Sequence, residues 1–114
     1  MVGLLLLGAQ AQAAPASFNG TWRIQLVTDA GSCDGSYSYA LAVQDGEAKL
    51  LTGQDDSATT VTGGVGGNGT VSLVLTRSIA TANASGRLKG NAGSGTWRLD
   101  ALGCSGRWTA ARRT

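Results

Sequence analysis

The chain has 114 residues and a formal net charge of +2, from 9 Lys and Arg against 7 Asp and Glu. That length holds one domain and no second core, so a multi-step enzyme is not expected. It contains no His, which excludes Ser-His and Cys-His nucleophile pairs and imidazole metal sites.

Residues 1–14, Met-Val-Gly-Leu-Leu-Leu-Leu-Gly-Ala-Gln-Ala-Gln-Ala-Ala, are a short apolar run closing in small residues. Ala11-Gln12-Ala13 fits the signal-peptidase pattern, so the run reads as a signal peptide and not as a membrane span. Its missing basic start suggests that the true N-terminus lies upstream or that the sequence is trimmed there, and residues 15–114 are expected to form the single folded domain. There the large apolar set is only 9 Leu, 6 Val, 2 Ile, 3 Trp, 2 Tyr and 1 Phe, a thin core. The 18 Gly and the low net charge favour a turn-rich β protein over disorder. Export to the periplasm or the medium puts Cys33 and Cys104 in an oxidising compartment, where they are expected to pair. By the chain-entropy model such a bond contributes about 4 kcal/mol. A metal or redox pair is the lesser reading, because no His and no third thiol accompany them.

Pro15 to Asn19 reads as an exposed leader in which Phe18 covers an open end of the fold. From Thr21 to Thr28, Trp22, Ile24 and Leu26 alternate with Thr21, Arg23 and Gln25, the signature of a half-buried strand. Asp29 to Gly35 is a turn carrying Cys33. Tyr37, Tyr39, Leu41 and Val43 alternate with small residues in a second strand, and Asp45-Gly46 is a two-residue hairpin signal into a short third, Glu47 to Thr52. Gly53 to Ser57 is a loop, and Thr59 to Val65 a Thr-rich strand broken by Gly63 and Gly64. Gly66-Gly67-Asn68-Gly69 turns into Thr70 to Arg77, with Val71, Leu73 and Leu75 inward. Ile79 to Asn83 then links to a small-residue strand around Ala84, Gly86 and Leu88. Asn91 to Gly93 turns into the Trp97 strand, and Ala101 to Gly103 into the Trp108 strand. No helix of three turns is written.

Short strands joined by short sequential turns predict an all-β antiparallel up-and-down meander. Its edges are hidden by closure into a barrel or by folding into a sandwich, and the many small inner residues favour a closed eight-stranded barrel. First and last strands then pair, Trp22 and Trp108 share one interior layer with Trp97 beside them, and Arg23, Arg98 and Arg107 point outward.

Asn19-Gly20-Thr21-Trp22, opening the first strand, resembles the Gly-x-Trp start of calycin-type barrels: lipocalins, avidins and metalloprotease-inhibitor-like domains. The resemblance implies a Trp that closes the barrel bottom and a basic residue of the last strand packed across it, for which Arg107, Arg112 and Arg113 are candidates. Biotin binding is not implied, since the avidin ligand residues find no counterpart. The chain as a whole also resembles small, uncharacterised exported bacterial proteins, which implies export and no particular chemistry.

Asp55-Asp56 is the one adjacent carboxylate pair, in a Gly-flanked loop where neighbouring side chains point apart into solvent. Gly31-Ser32-Cys33-Asp34-Gly35 looks like a nucleophile elbow but lacks the Gly-x-Ser-x-Gly order and a base. Gly63 to Gly69 lacks the Asp of the calcium nonapeptide, and Tyr37 and Tyr39 are the only residual haem donors, so no cofactor and no metal are expected. The Asn-x-Ser/Thr triplets at Asn19, Asn68 and Asn83 fit chance in so Gly-, Asn- and Thr-rich a chain. From Arg77 onward seven bases face only Asp100. Their sparse spacing, with no interleaved aromatics, reads as solvated surface and not as a nucleic-acid face.

Trp22, Tyr37, Tyr39, Trp97 and Trp108 either fill the core or line a ligand pocket at a barrel mouth, with filling the expected role in so thin a core. The leading reading is a monomeric, non-enzymatic exported binding or interaction module of unknown ligand, with a small apolar ligand or a protease as candidate partners. A protease inhibitor using Ala14 to Asn19 as an arm is the alternative, and an adhesive surface protein the third.

Overall fold

A computed structural model describes residues 18–53, 59–77 and 80–113. The signal-peptide reading of 1–14, the start of the leader and Asp55-Asp56 lie outside the described residues. The strands are β1 (Gly20–Ala30), β2 (Ser36–Gln44), β3 (Glu47–Gly53) and β4 (Thr59–Val65), then β5 (Thr70–Arg77), β6 (Ala80–Lys89), β7 (Ala92–Leu99) and β8 (Cys104–Arg113). Each pairs antiparallel with its successor, and β8 returns to β1, closing an eight-stranded barrel. The all-β meander read from the alternation is therefore the fold.

The inner positions are those that period two selects. Trp22 and Leu26 of β1, Tyr39, Leu41 and Val43 of β2, Val71 and Leu73 of β5, and Trp97 and Trp108 are buried in one cluster. Arg23, Arg98 and Arg107 lie exposed on the outer face, as expected. The β2–β3 turn puts Asp45 at φ 52° and Gly46 at φ 86°, the positive pair that matches strand twist in a tight hairpin. Cys33 and Cys104 are joined, with 6.1 Å between their Cα atoms.

Boundaries differ from the sequence reading: β1 runs on through Asp29 and Ala30, read as turn, and β3 through Gly53, read as loop. The β5–β6 link does not run to Asn83, because β6 begins at Ala80 and Ala80 already pairs with Arg77. Its inner residues Ala82 and Ala84 are too small to register as a hydrophobic stripe, which hid the period-two signal. The next turn falls at Gly90-Asn91 instead of Asn91 to Gly93, with Lys89 opposite Ala92.

The tryptophans also differ from expectation. On β8 the residue opposite Trp22 is Arg112, and Trp108 lies opposite Leu26. Trp97 lies opposite Gly106, two residues before Trp108. Trp22 and Trp108 are therefore not cross-strand partners, since the Ile24–Ala110 pair lies between them, and Trp97 stands one step beyond Trp108 from Trp22. Strands that run oppositely and are offset by their turns do not align residues at equal distances from the chain ends.

Candidate functional site: the barrel mouth

Three connections, 45–46, 66–69 and 90–91, gather at the end of the barrel holding Trp22. That end is plugged. Phe18 packs on the core, and its carbonyl accepts the Trp22 indole N–H at 2.9 Å. The Arg112 guanidinium lies 5.0 Å above the Trp22 ring and donates to Asn91 Oδ1 at 2.9 Å, Asn19 O at 3.0 Å and Gly90 O at 3.2 Å. Of the three candidates for a base across Trp22, Arg112 takes the place. Arg107 instead pairs with Asp29, and Arg113 faces outward. Gly20 makes the passage possible, because a Cβ there would stand 3.1 Å from Arg112 Cδ. Phe18 and Asn19 are thus fastened to the barrel, Asn19 also through its Oδ1 accepting Asp45 N–H at 2.9 Å. An inhibitory arm would have to come from residues before 18.

The other end carries the 31–35 loop and the 3-10 turn Asp100–Leu102. The disulfide fastens these two connections together at the rim. Thr28 Oγ1 donates to Asp34 O, and Asp34 N–H donates to Tyr37 Oη at 3.1 Å, so the elbow-like segment is an ordered disulfide-bearing loop. Below it opens a cavity of about 300 Å³, whose wall includes Leu26, Tyr37, Tyr39, Leu75, Trp97 and Leu99. Tyr37 and Trp97 meet edge to face, with centroids 6.4 Å apart and planes at 84°. Thr59 and Arg77 supply polar groups to an otherwise apolar wall.

Of the five aromatic candidates, the structure brings Tyr37, Tyr39 and Trp97 to the mouth cavity. Trp22 and Trp108 instead line a smaller apolar space of about 40 Å³, with Leu41, Val71 and Leu88. They are core. Tyr39 borders both spaces. The sequence reading missed Leu26, Leu75 and Leu99 as mouth residues. Their inward parity was visible, but which inward residues fall above the packed layers depends on strand register.

Chemically, the mouth offers flat aromatic faces, aliphatic walls and a few hydroxyl and guanidinium donors. Small-molecule sites are built from surfaces of this kind, mainly apolar with a few polar groups. Among the described residues no group of three or more His, Cys, Asp or Glu is placed to hold a metal ion. No family model matches the chain, and no curated protein matches it.

Proposed function

We propose that this is a small exported, non-enzymatic β-barrel binding protein that takes a small apolar ligand at its mouth. The observation that carries the reading is the cavity of about 300 Å³ at the disulfide-fastened end, faced by Tyr37, Tyr39 and Trp97. Its size falls at the lower end of small-molecule sites, roughly 300–1,000 Å³. Closure with eight strands and Arg112 stacked on Trp22 support the resemblance to calycin-type barrels. The disulfide and the apolar leader support export.

The test is titration of the purified chain with N-phenyl-1-naphthylamine, an uncharged apolar fluorophore, beside native mass spectrometry of protein recovered from periplasm or medium. Wild type should bind one equivalent. Ala82→Phe, which pushes a ring into the cavity from β6, should abolish binding while preserving the thermal midpoint. Absence of binding by wild type, or binding indifferent to Ala82→Phe, refutes a mouth site.

A further inference from the structure

The outer wall carries a cluster of bases that form no ion pair among the described residues. Arg98 is paired with Asp100 at 3.0 Å, and Arg107 with Asp29 at 2.8 Å. Arg23, Arg113 and Lys49 have no such carboxylate among the described residues. The register brings these three together. Arg23 on β1 lies opposite Ala111 on β8, so Arg113, two residues further, is its diagonal neighbour at roughly 7 Å along the sheet surface. Arg113, Thr21, Ala42 and Lys49 then follow one another across β8, β1, β2 and β3. With neighbouring strands about 4.8 Å apart, Lys49 stands about 14 Å from Arg113.

Between them the sheet surface is low, because Thr21, Ala40 and Ala42 are small. A groove of about 340 Å³ on this wall is lined by Arg23, Gln25, Ser38, Tyr39, Ala40 and Arg113. Ser38 donates its hydroxyl proton to Gln25 Oε1, which orients the Gln25 amide and leaves its nitrogen's two hydrogens for another acceptor.

Two adjacent guanidinium groups without a counter-charge repel each other, and a planar oxyanion held between them removes that repulsion while accepting paired N–H donors. The neighbouring amide and hydroxyl suit the ring hydroxyls of a sugar. We propose that the β8-β1-β2 wall binds an acidic saccharide, with a carboxylate or sulfate group on Arg23 and Arg113, ring hydroxyls on Gln25 and Ser38, and a second acidic group along the chain reaching Lys49. A nucleic acid would look for exposed stacking aromatics beside the bases; the aromatic among this groove's lining residues, Tyr39, is 8% exposed and belongs to the core. The site is separate from the mouth cavity, so Ala82→Phe leaves it unchanged.

The experiment is calorimetric titration of the purified chain with tetragalacturonate and with a heparin-derived tetrasaccharide. Maltotetraose, inorganic sulfate and phosphatidylglycerol vesicles are titrated in parallel. At least one acidic tetrasaccharide should bind with one-to-one stoichiometry, and maltotetraose should not. Arg23→Gln/Arg113→Gln should weaken binding tenfold or more. Arg98→Gln/Arg107→Gln, which removes the same charge from acid-paired positions, should stay within twofold. Gln25→Ala should weaken the saccharide severalfold without changing any response to sulfate. Equal losses in the two double variants mean diffuse attraction and overturn the site. It is equally overturned if neither tetrasaccharide binds, if sulfate matches their affinity, or if vesicles bind as tightly with the same dependence on Arg23 and Arg113.

Discussion

The indole of Trp97 lies across Gly106 on the neighbouring strand, reaching past it to donate its N–H to Val27 O at 3.1 Å. The exchange is reciprocal, since Trp108 on that strand lies across Gly95 and donates to Ser85 O at 3.1 Å. Gly95-x-Trp97 and Gly106-x-Trp108 are therefore one interlocked pair, in which each glycine makes room for the other motif's ring. A Cβ on Gly106 would overlap Val27 O and stand 2.8 Å from Trp97 Nε1. Gly106→Ala should thus cost about 1–3 kcal/mol through overpacking. Gly35→Ala, where a Cβ meets nothing within 4 Å, should stay within about 0.5 kcal/mol. Urea midpoints measure both, and equal small losses would mean that the rings do not sit on the glycines.

Trp22 is 1% exposed, and Trp22→Ala should cost about 3–5 kcal/mol as a large ring lost from the core. Arg98→Ala on the outer face should stay within about 0.5 kcal/mol. Arg112→Lys keeps the charge above the indole but not the planar fork that reaches Asn91, Asn19 and Gly90 together. It should cost about 1–2 kcal/mol at roughly one kcal/mol per lost hydrogen bond. A neutral Arg112→Lys would mean that the guanidinium hydrogen bonds hold nothing.

Much of this was legible in the sequence because period two and turn chemistry are local. Asp45-Gly46, the inward parity of Trp22 to Leu26, and two cysteines behind a leader that reads as an export signal point to hairpin, core face and disulfide before any tertiary contact is known. What the sequence hid is relational. Whether Arg107, Arg112 or Arg113 stacks on Trp22, and which layer each indole occupies, depends on how β8 is offset against β1. Ala82 and Ala84 disguised the start of β6 because small inward residues resemble a linker. The bases of the outer groove are 90 residues apart in sequence, at Arg23 and Arg113, and barrel closure alone makes them neighbours.

Arg107 and Asp29 link β8 to β1 on the outer face through hydrogen bonds of 2.8 and 2.9 Å. The hydrogen bonds from Arg107 hold the Asp29 carboxyl below its ordinary range; desolvation pushes it partly back up, and the Arg107 charge adds a still smaller lowering. A depressed folded-state pKa gives stability that is complete above the unfolded value, about 4 for an aspartate. That stability fades as pH falls through the lower folded value. Asp29→Asn should therefore be slightly less stable than wild type at pH 7, and the two should converge in acid. Both side chains are largely solvated, at 69% and 42% exposure, so the difference is small and shrinks further in high salt. A gap that widened in acid would contradict the pairing.

The disulfide sits at the rim and not among the Trp layers, so its loss should separate global stability from local order. Native chain should take up no alkylating reagent until it is reduced. Replacing both Cys33 and Cys104 by Ser frees a loop spanning 71 residues of sequence, worth about 4 kcal/mol in chain entropy, against a domain total of roughly 5–15 kcal/mol. Where the double variant still folds, the 31–35 loop and the 3-10 turn lose their tie while the packing around Trp22 and Trp108 is kept. Acrylamide should then quench Trp97, which lines the mouth, more than it does in wild type, and Trp22 and Trp108 no more than before. Single-Trp versions of the chain resolve the three signals. Uniform quenching of all three would mean that the bond holds the whole barrel together, and reactive thiols in native protein would mean that the bond is not formed.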